Sequence, residues 1–128
     1  MTQEEKDLLL KDIFGRIPYG VKCSYLDIEF NNTTYGNLES FEYDDDKDVI
    51  FVIDGIGIYS EHVKPYLFPL SSMTEEQKKE YNYITERWMY DSSYSISDSI
   101  DFFHKNHIDY RGLIPKGLAK DATGLNIY

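Results

Sequence analysis

A single cysteine, Cys23, stands in 128 residues. No intramolecular disulfide can form, and a cysteine-based zinc site lacks its ligands. Such sparing use of cysteine points to a reducing compartment. Long apolar runs are missing too: the longest, VIFVI at 49–53, falls far short of the roughly 20 residues that cross a bilayer. The opening stretch MTQEEKDLLLKD has no basic region followed by an apolar one, so it does not read as a secretory signal. Positive charge is scarce, with a formal net charge of −10, and an acidic surface repels nucleic acid and anionic lipid alike. These absences predict a cytoplasmic protein with no membrane partner and with nucleic acid disfavoured as a ligand.

Familiar chemical signatures are just as thin. GIGIYSE, residues 55–61, carries only two glycines, with no helix directly after it and no lysine placed for a phosphate. The acidic stretch Glu39 to Asp48 lacks the D-x-[DN]-x-[DN]-G order of a calcium loop. Cys23 alternates with Val21 and Tyr25, which makes it a small core residue rather than a nucleophile. Two prolines in KPYLFP, Pro65 and Pro69, are spaced P-x-x-x-P, not the P-x-x-P that turns two rings toward one groove. The sequence therefore presents no catalytic residues and no cofactor motif.

What the chain has is aromatic surface: twelve Tyr, seven Phe and one Trp. Its length suits one domain with one core. Residues 2–14 read as a helix, with Thr2 and Glu5 as a capping box, Leu9 and Ile13 at helical spacing and Gly15 as a stop. Pro18 then directs the residue before it toward extended geometry. From 20 the period becomes two. Val21, Cys23 and Tyr25 alternate, then Leu26, Ile28 and Phe30 alternate one step out of phase, predicting a bulge near Tyr25. Asn31-Asn32 turns the chain into a second strand with a kink at Gly36. VIFVI, apolar on both faces, reads as a central covered strand, and Asp54-Gly55 predicts a tight hairpin.

Pro65 and Pro69 lack amide hydrogens, so 64–69 reads as an edge strand or a polyproline-like segment. Thr74 with Gln77 caps a second helix that carries Tyr81, Ile84 and Trp88 on one stripe. Ser95 or Ser97 caps a third, with Ile96, Ile100, Phe103 and His107 on its inner face. Residues 109–128 are irregular but too apolar to dangle, so they pack back. The fold class expected is α+β in a single domain, 1–128. An N-terminal helix and turn (1–19) precede a strongly bent antiparallel sheet or small SH3-like barrel of four to five strands (20–72). Two C-terminal helices and an irregular tail follow (73–128).

Three sets of candidate residues emerge. His104 and His107 sit three apart on the third helix, a spacing that can hold a metal ion, although the same residues serve equally as helix-end groups satisfying carbonyls. Asp44, Asp45, Asp46 and Asp48 form a charged loop, either solvated or mimicking a phosphate backbone toward a basic groove. Tyr66, Tyr90 and Tyr94 suit protein contact, because tyrosine adds area at low entropic cost. Arg111, Lys116 and Lys120 gather positive charge, but no basic recognition helix follows them.

Three blocks, EEKDLLLKDIFGRIPYGVK, VKPYLFPLSSMTEEQ and HIDYRGLIPKGLA, resemble a family of small proteins encoded by gut Bacteroidetes bacteria and by their phages and mobile elements. The resemblance covers about half the chain and leaves out residues 25–60. It implies a bacterial or phage accessory protein of the cytoplasm and transfers no catalytic residue. The function expected is a non-enzymatic protein-binding or regulatory module. An acidic inhibitor of a nucleic-acid enzyme in phage–host conflict and a small metal-dependent enzyme are the alternatives. Sheet edges and aromatics would permit a homodimer, though nothing demands one.

Overall fold

The computed structural model describes residues 1–27 and 29–128. Ile28, one of the three residues that suggested a phase slip, lies outside them. The first helix, α1 (Gln3–Arg16), starts as its sequence dictates: the Thr2 hydroxyl accepts the Glu5 amide at 3.1 Å and the Glu5 carboxylate accepts the Thr2 amide at 3.1 Å. It does not stop at Gly15. The helix runs one residue further and passes into a 3-10 turn, Ile17–Tyr19, with Ile17 in helical geometry despite the following proline. Gly20, at φ 70°, closes that turn. Its left-handed backbone suits glycine.

Seven strands follow rather than four or five, in a curved and open sheet. They are β1 (Lys22–Asp27), β2 (Asn32–Tyr43), β3 (Val49–Ile53), β4 (Ile56–Tyr59), β5 (Val63–Pro69), β6 (Ile108–Asp109) and β7 (Lys120–Asp121), in the order β4-β3-β2-β1-β5-β6 with β7 also on β5. The first five pair antiparallel, while β6 and β7 join β5 in parallel, which makes the sheet mixed. Of the two forms expected, the bent sheet stands and the barrel does not close. The two extra strands, β6 and β7, come from the C-terminal part after α3, where segments of two residues each are too short to show a period.

The hairpin at Asp54-Gly55 is present, with φ of 49° and 81° as a two-residue turn of this type requires. The bulge lies elsewhere: β1 pairs β2 without a break from Lys22 to Asp27, and the register shifts in β2 between Leu38 and Ser40. VIFVI is next to the edge rather than central; Val49, Phe51 and Ile53 are buried and Ile50 and Val52 half-buried. Conversely, the proline strand β5 is interior. Its neighbours divide the strand between them, β1 along Val63–Pro65 and β6 and β7 along Tyr66–Pro69. Each proline thus falls at the end of a ladder, where a missing donor costs least.

The main core lies between α1, the sheet and the returning residues 113–119. It includes Leu9, Ile13, Val21, Cys23, Phe51 and Leu113, and Phe14 packs on Phe41 and Phe51 with centroids 4.6 and 6.0 Å apart. A second, smaller cluster of Phe102, Phe103 and Ile108 sits under two helices, α2 (Glu75–Tyr90) and α3 (Ile96–Lys105). Thr74 and Gln77 cap α2 reciprocally, and Ser95 with Asp98 caps α3. The inner face of α3 is Ser99, Phe102, Phe103 and His104. Ile96 is instead exposed, and His107 lies beyond the helix at φ 57°.

Candidate functional site

The histidine pair dissolves in three dimensions. His104 is buried at the end of α3, its Nε2 2.9 Å from the Tyr110 hydroxyl. Arg111 donates to that hydroxyl oxygen at 3.0 Å. Burial, and then the Arg16 guanidinium, hold the His104 imidazole below its ordinary pKa and hence neutral. His107 instead stacks face to face on Tyr128, with centroids 3.7 Å apart. Among the described residues, no group of three or more His, Cys, Asp or Glu is placed to hold a metal ion.

His104 belongs to a polar network that the sequence did not announce. Asp12 and Arg16, one helical turn apart, are both fully buried and joined at 2.7 Å. Arg16 also donates to the Ile108 carbonyl at 2.7 Å, and Arg111 reaches the second Asp12 oxygen at 3.2 Å. Arg16 and Arg111 both lie over the Tyr110 ring, at 5.5 and 4.9 Å from its centroid. The network locks α1 to the segment after α3, and of the Arg16 guanidinium only Nη1 is left without a partner. Arg111 also lines a groove of about 690 Å³ with Leu70, Tyr110 and Ile114. The carboxylate there, Asp109, is taken up by the amides of Leu113 and Ile114 at 2.9 Å.

The acidic loop is partly self-contained. One Asp44 oxygen accepts the amides of Asp46 and Asp48, both at 2.9 Å, and the other accepts the Tyr59 hydroxyl at 3.1 Å. That bond to a carboxylate raises the Tyr59 pKa. Asp48 faces Lys6 at 3.7 Å. Asp45 and Asp46 extend outward, exposed. Cys23 is buried in the core, which pushes its thiol pKa far up and keeps it an unreactive thiol.

The tyrosines separate. Tyr66 is half-buried on the outer face of the sheet against Tyr35, centroids 5.8 Å apart. Tyr90 and Tyr94 lie at the junction of α2 and α3, and there the surface is unusual. No residue of α2 is buried. Within α2, Tyr81 and Ile84 pack on the small cluster. Beyond them Trp88 is 40% exposed, Met89 65% and Tyr90 84%, with Ile96 at 66% where α3 begins. The sequence stripe Tyr81, Ile84 and Trp88 is continuous, but only Tyr81 and Ile84 pack on the small cluster, and Trp88 is left exposed where α2 meets the start of α3. Beside it is a cavity of about 260 Å³ walled by Tyr19, Ile84, Tyr94 and Phe102 and rimmed by Glu80, Asp98, Asp101 and Lys105. Tyr94 stacks edge-on against Tyr83, centroids 6.3 Å apart, and Arg87 covers Tyr83 at 4.9 Å. Neither the family models, nor the curated proteins, nor the solved structures give a match to this chain.

Proposed function

We propose that this protein is a non-enzymatic protein-binding module whose contact surface is the outer end of the α2–α3 pair. One observation carries the reading: Trp88, Met89, Tyr90 and Ile96, all at the junction of α2 and α3, are large apolar side chains left exposed. Large apolar side chains exposed at one helix junction suit a contact site, and Trp, Tyr and Met are the residue types enriched in such sites. Ordering them costs little extra entropy, because Tyr and Trp have only two side-chain torsions.

The test compares proteins captured from host lysate by the tagged wild type and by the Trp88→Ser/Tyr90→Ser variant. A partner held by the wild type in stoichiometric amount and lost by the variant is the expected result. Equal recovery by both, or no partner for either, rejects the surface.

A further inference from the structure

We propose that the cavity between α2 and α3 receives a lysine or arginine side chain of a basic amphipathic segment, whose apolar residues lie on Trp88 and Ile96. This inference rests on the protein-binding reading and names the partner's chemistry.

The cavity's walls and rim ask for different things from one occupant. Three rings, Tyr19, Tyr94 and Phe102, and the Ile84 side chain make its walls apolar, while three carboxylates and a single lysine form its rim. Each carboxylate is half used. Asp98 accepts the Ser95 amide on one oxygen at 2.6 Å, and Asp101 accepts the Tyr19 hydroxyl on one oxygen at 3.2 Å. Glu80 faces Lys105 through one oxygen at 3.8 Å. Among the described residues the second oxygen of each has no hydrogen-bond or ion-pair partner. Among the described residues these carboxylates are not grouped to hold a metal ion, and the complement of the walls and rim is an organic cation. A long aliphatic stem suits the walls and its charged head suits the rim and ring faces.

The neighbouring surface decides that this cation belongs to a polypeptide. Ile84 lines the cavity, and Trp88 stands four residues on, which on a helix puts it on the same side one turn away. Tyr94 lines the cavity, and Ile96 is exposed two residues later. A basic side chain in the cavity therefore lies beside apolar anchors on the exposed face, which is the pattern an amphipathic helix offers a groove. The chain's net charge of −10 adds long-range attraction for such a partner.

Trp88 is the sole tryptophan, so its emission reports occupancy directly. The full chain is titrated with a Leu/Lys amphipathic helical peptide and with its Leu/Glu counterpart of identical apolar pattern. The wild type is compared with Glu80→Gln/Asp101→Asn and with Asp45→Asn/Asp46→Asn, which removes the same charge from the distant loop. Asp98 is left intact because it caps α3. Saturable one-to-one binding of the Lys peptide is expected, weakened about tenfold (about 1.4 kcal/mol) by the cavity pair and changed less than twofold by the loop pair. The Glu peptide is expected to bind at least about tenfold more weakly. Equal losses from the two variant pairs would show general charge attraction and overturn the proposal. Equal binding of both peptides would refute the basic partner while leaving the apolar surface a contact site. No response of Trp88 to either peptide overturns this docking site, and the capture comparison then judges the wider reading by itself.

Discussion

His107 occupies a left-handed backbone position at φ 57°, its Nδ1 buried without a partner and its ring stacked on Tyr128. Burial first, and then the charges of Arg16 and Lys22, lower its pKa from 6.5 to about 4. The group is a base whose folded pKa is depressed, so between about 4 and 6.5 the unfolded chain holds the proton that the folded chain refuses. Stability therefore falls as pH drops through this window and levels off once the folded imidazole also protonates. His104, whose pKa is lowered too, acts in the same direction. The urea midpoint is expected to drop on acidification from pH 7 to 4. His107→Asn, a residue that tolerates the left-handed region, should flatten that decline without abolishing it. An unchanged slope in the variant would mean that His107 is not a source of the acid sensitivity. At this scale the sequence was half legible: His104 and His107 stood out, but their separation by a helix end did not, because three residues mean one face only while the helix lasts.

At the scale of elements, Gly15 shows how a local rule loses to packing. Propensity favours Ala over Gly by about 1 kcal/mol inside a helix, and Gly15 is inside α1. A Cβ there would stand 2.6 Å from Cε1 of His104, where overpacking costs typically 1–3 kcal/mol. Gly15→Ala is expected to lower the urea midpoint followed by circular dichroism, and in a His104→Ala background the same change should raise it. A stabilising Gly15→Ala in the wild type would show that α1 and α3 do not meet this closely. The glycine reads as a stop from sequence because nothing local reveals a neighbour arriving from residue 104. The proline strand misled for a related reason. Proline bars a residue from the middle of a doubly paired strand, and β5 meets the bar by changing partners between Pro65 and Tyr66.

Across the whole molecule, Tyr128 ties distant parts of the chain together. Its hydroxyl accepts the Lys22 amide at 2.9 Å and donates to the Tyr66 carbonyl at 2.7 Å, filling the seam where β1 and β5 stop pairing. Its ring lies between His107 and Phe68, and burial raises its pKa strongly. Tyr128→Phe leaves both backbone groups without that partner and is expected to cost about 1–3 kcal/mol. Faster hydrogen exchange at the Lys22 amide should accompany the loss. Exchange at Lys22 as slow as in the wild type would show that the hydroxyl is not what closes the seam. Among the described residues no helix is long and apolar enough to cross a membrane, and the two hydrophobic clusters are both met by α3 or the segment after it.

The sequence by itself determined the helices and their starts, the Asp54-Gly55 hairpin, the burial of Val21, Cys23 and Tyr25, and the return of the last twenty residues onto the domain. Those features are set by capping side chains, turn residues and short periods, all of which act within a few positions. Only the tertiary structure decided that Asp12 and Arg16 are buried, that β5 is interior, and that Trp88 at the end of the stripe is left exposed. Burial of a charge depends on a partner such as Arg111, nearly a hundred residues away, and whether an apolar stripe is covered depends on which elements pack against it. Neither is written in the local pattern of the segment concerned.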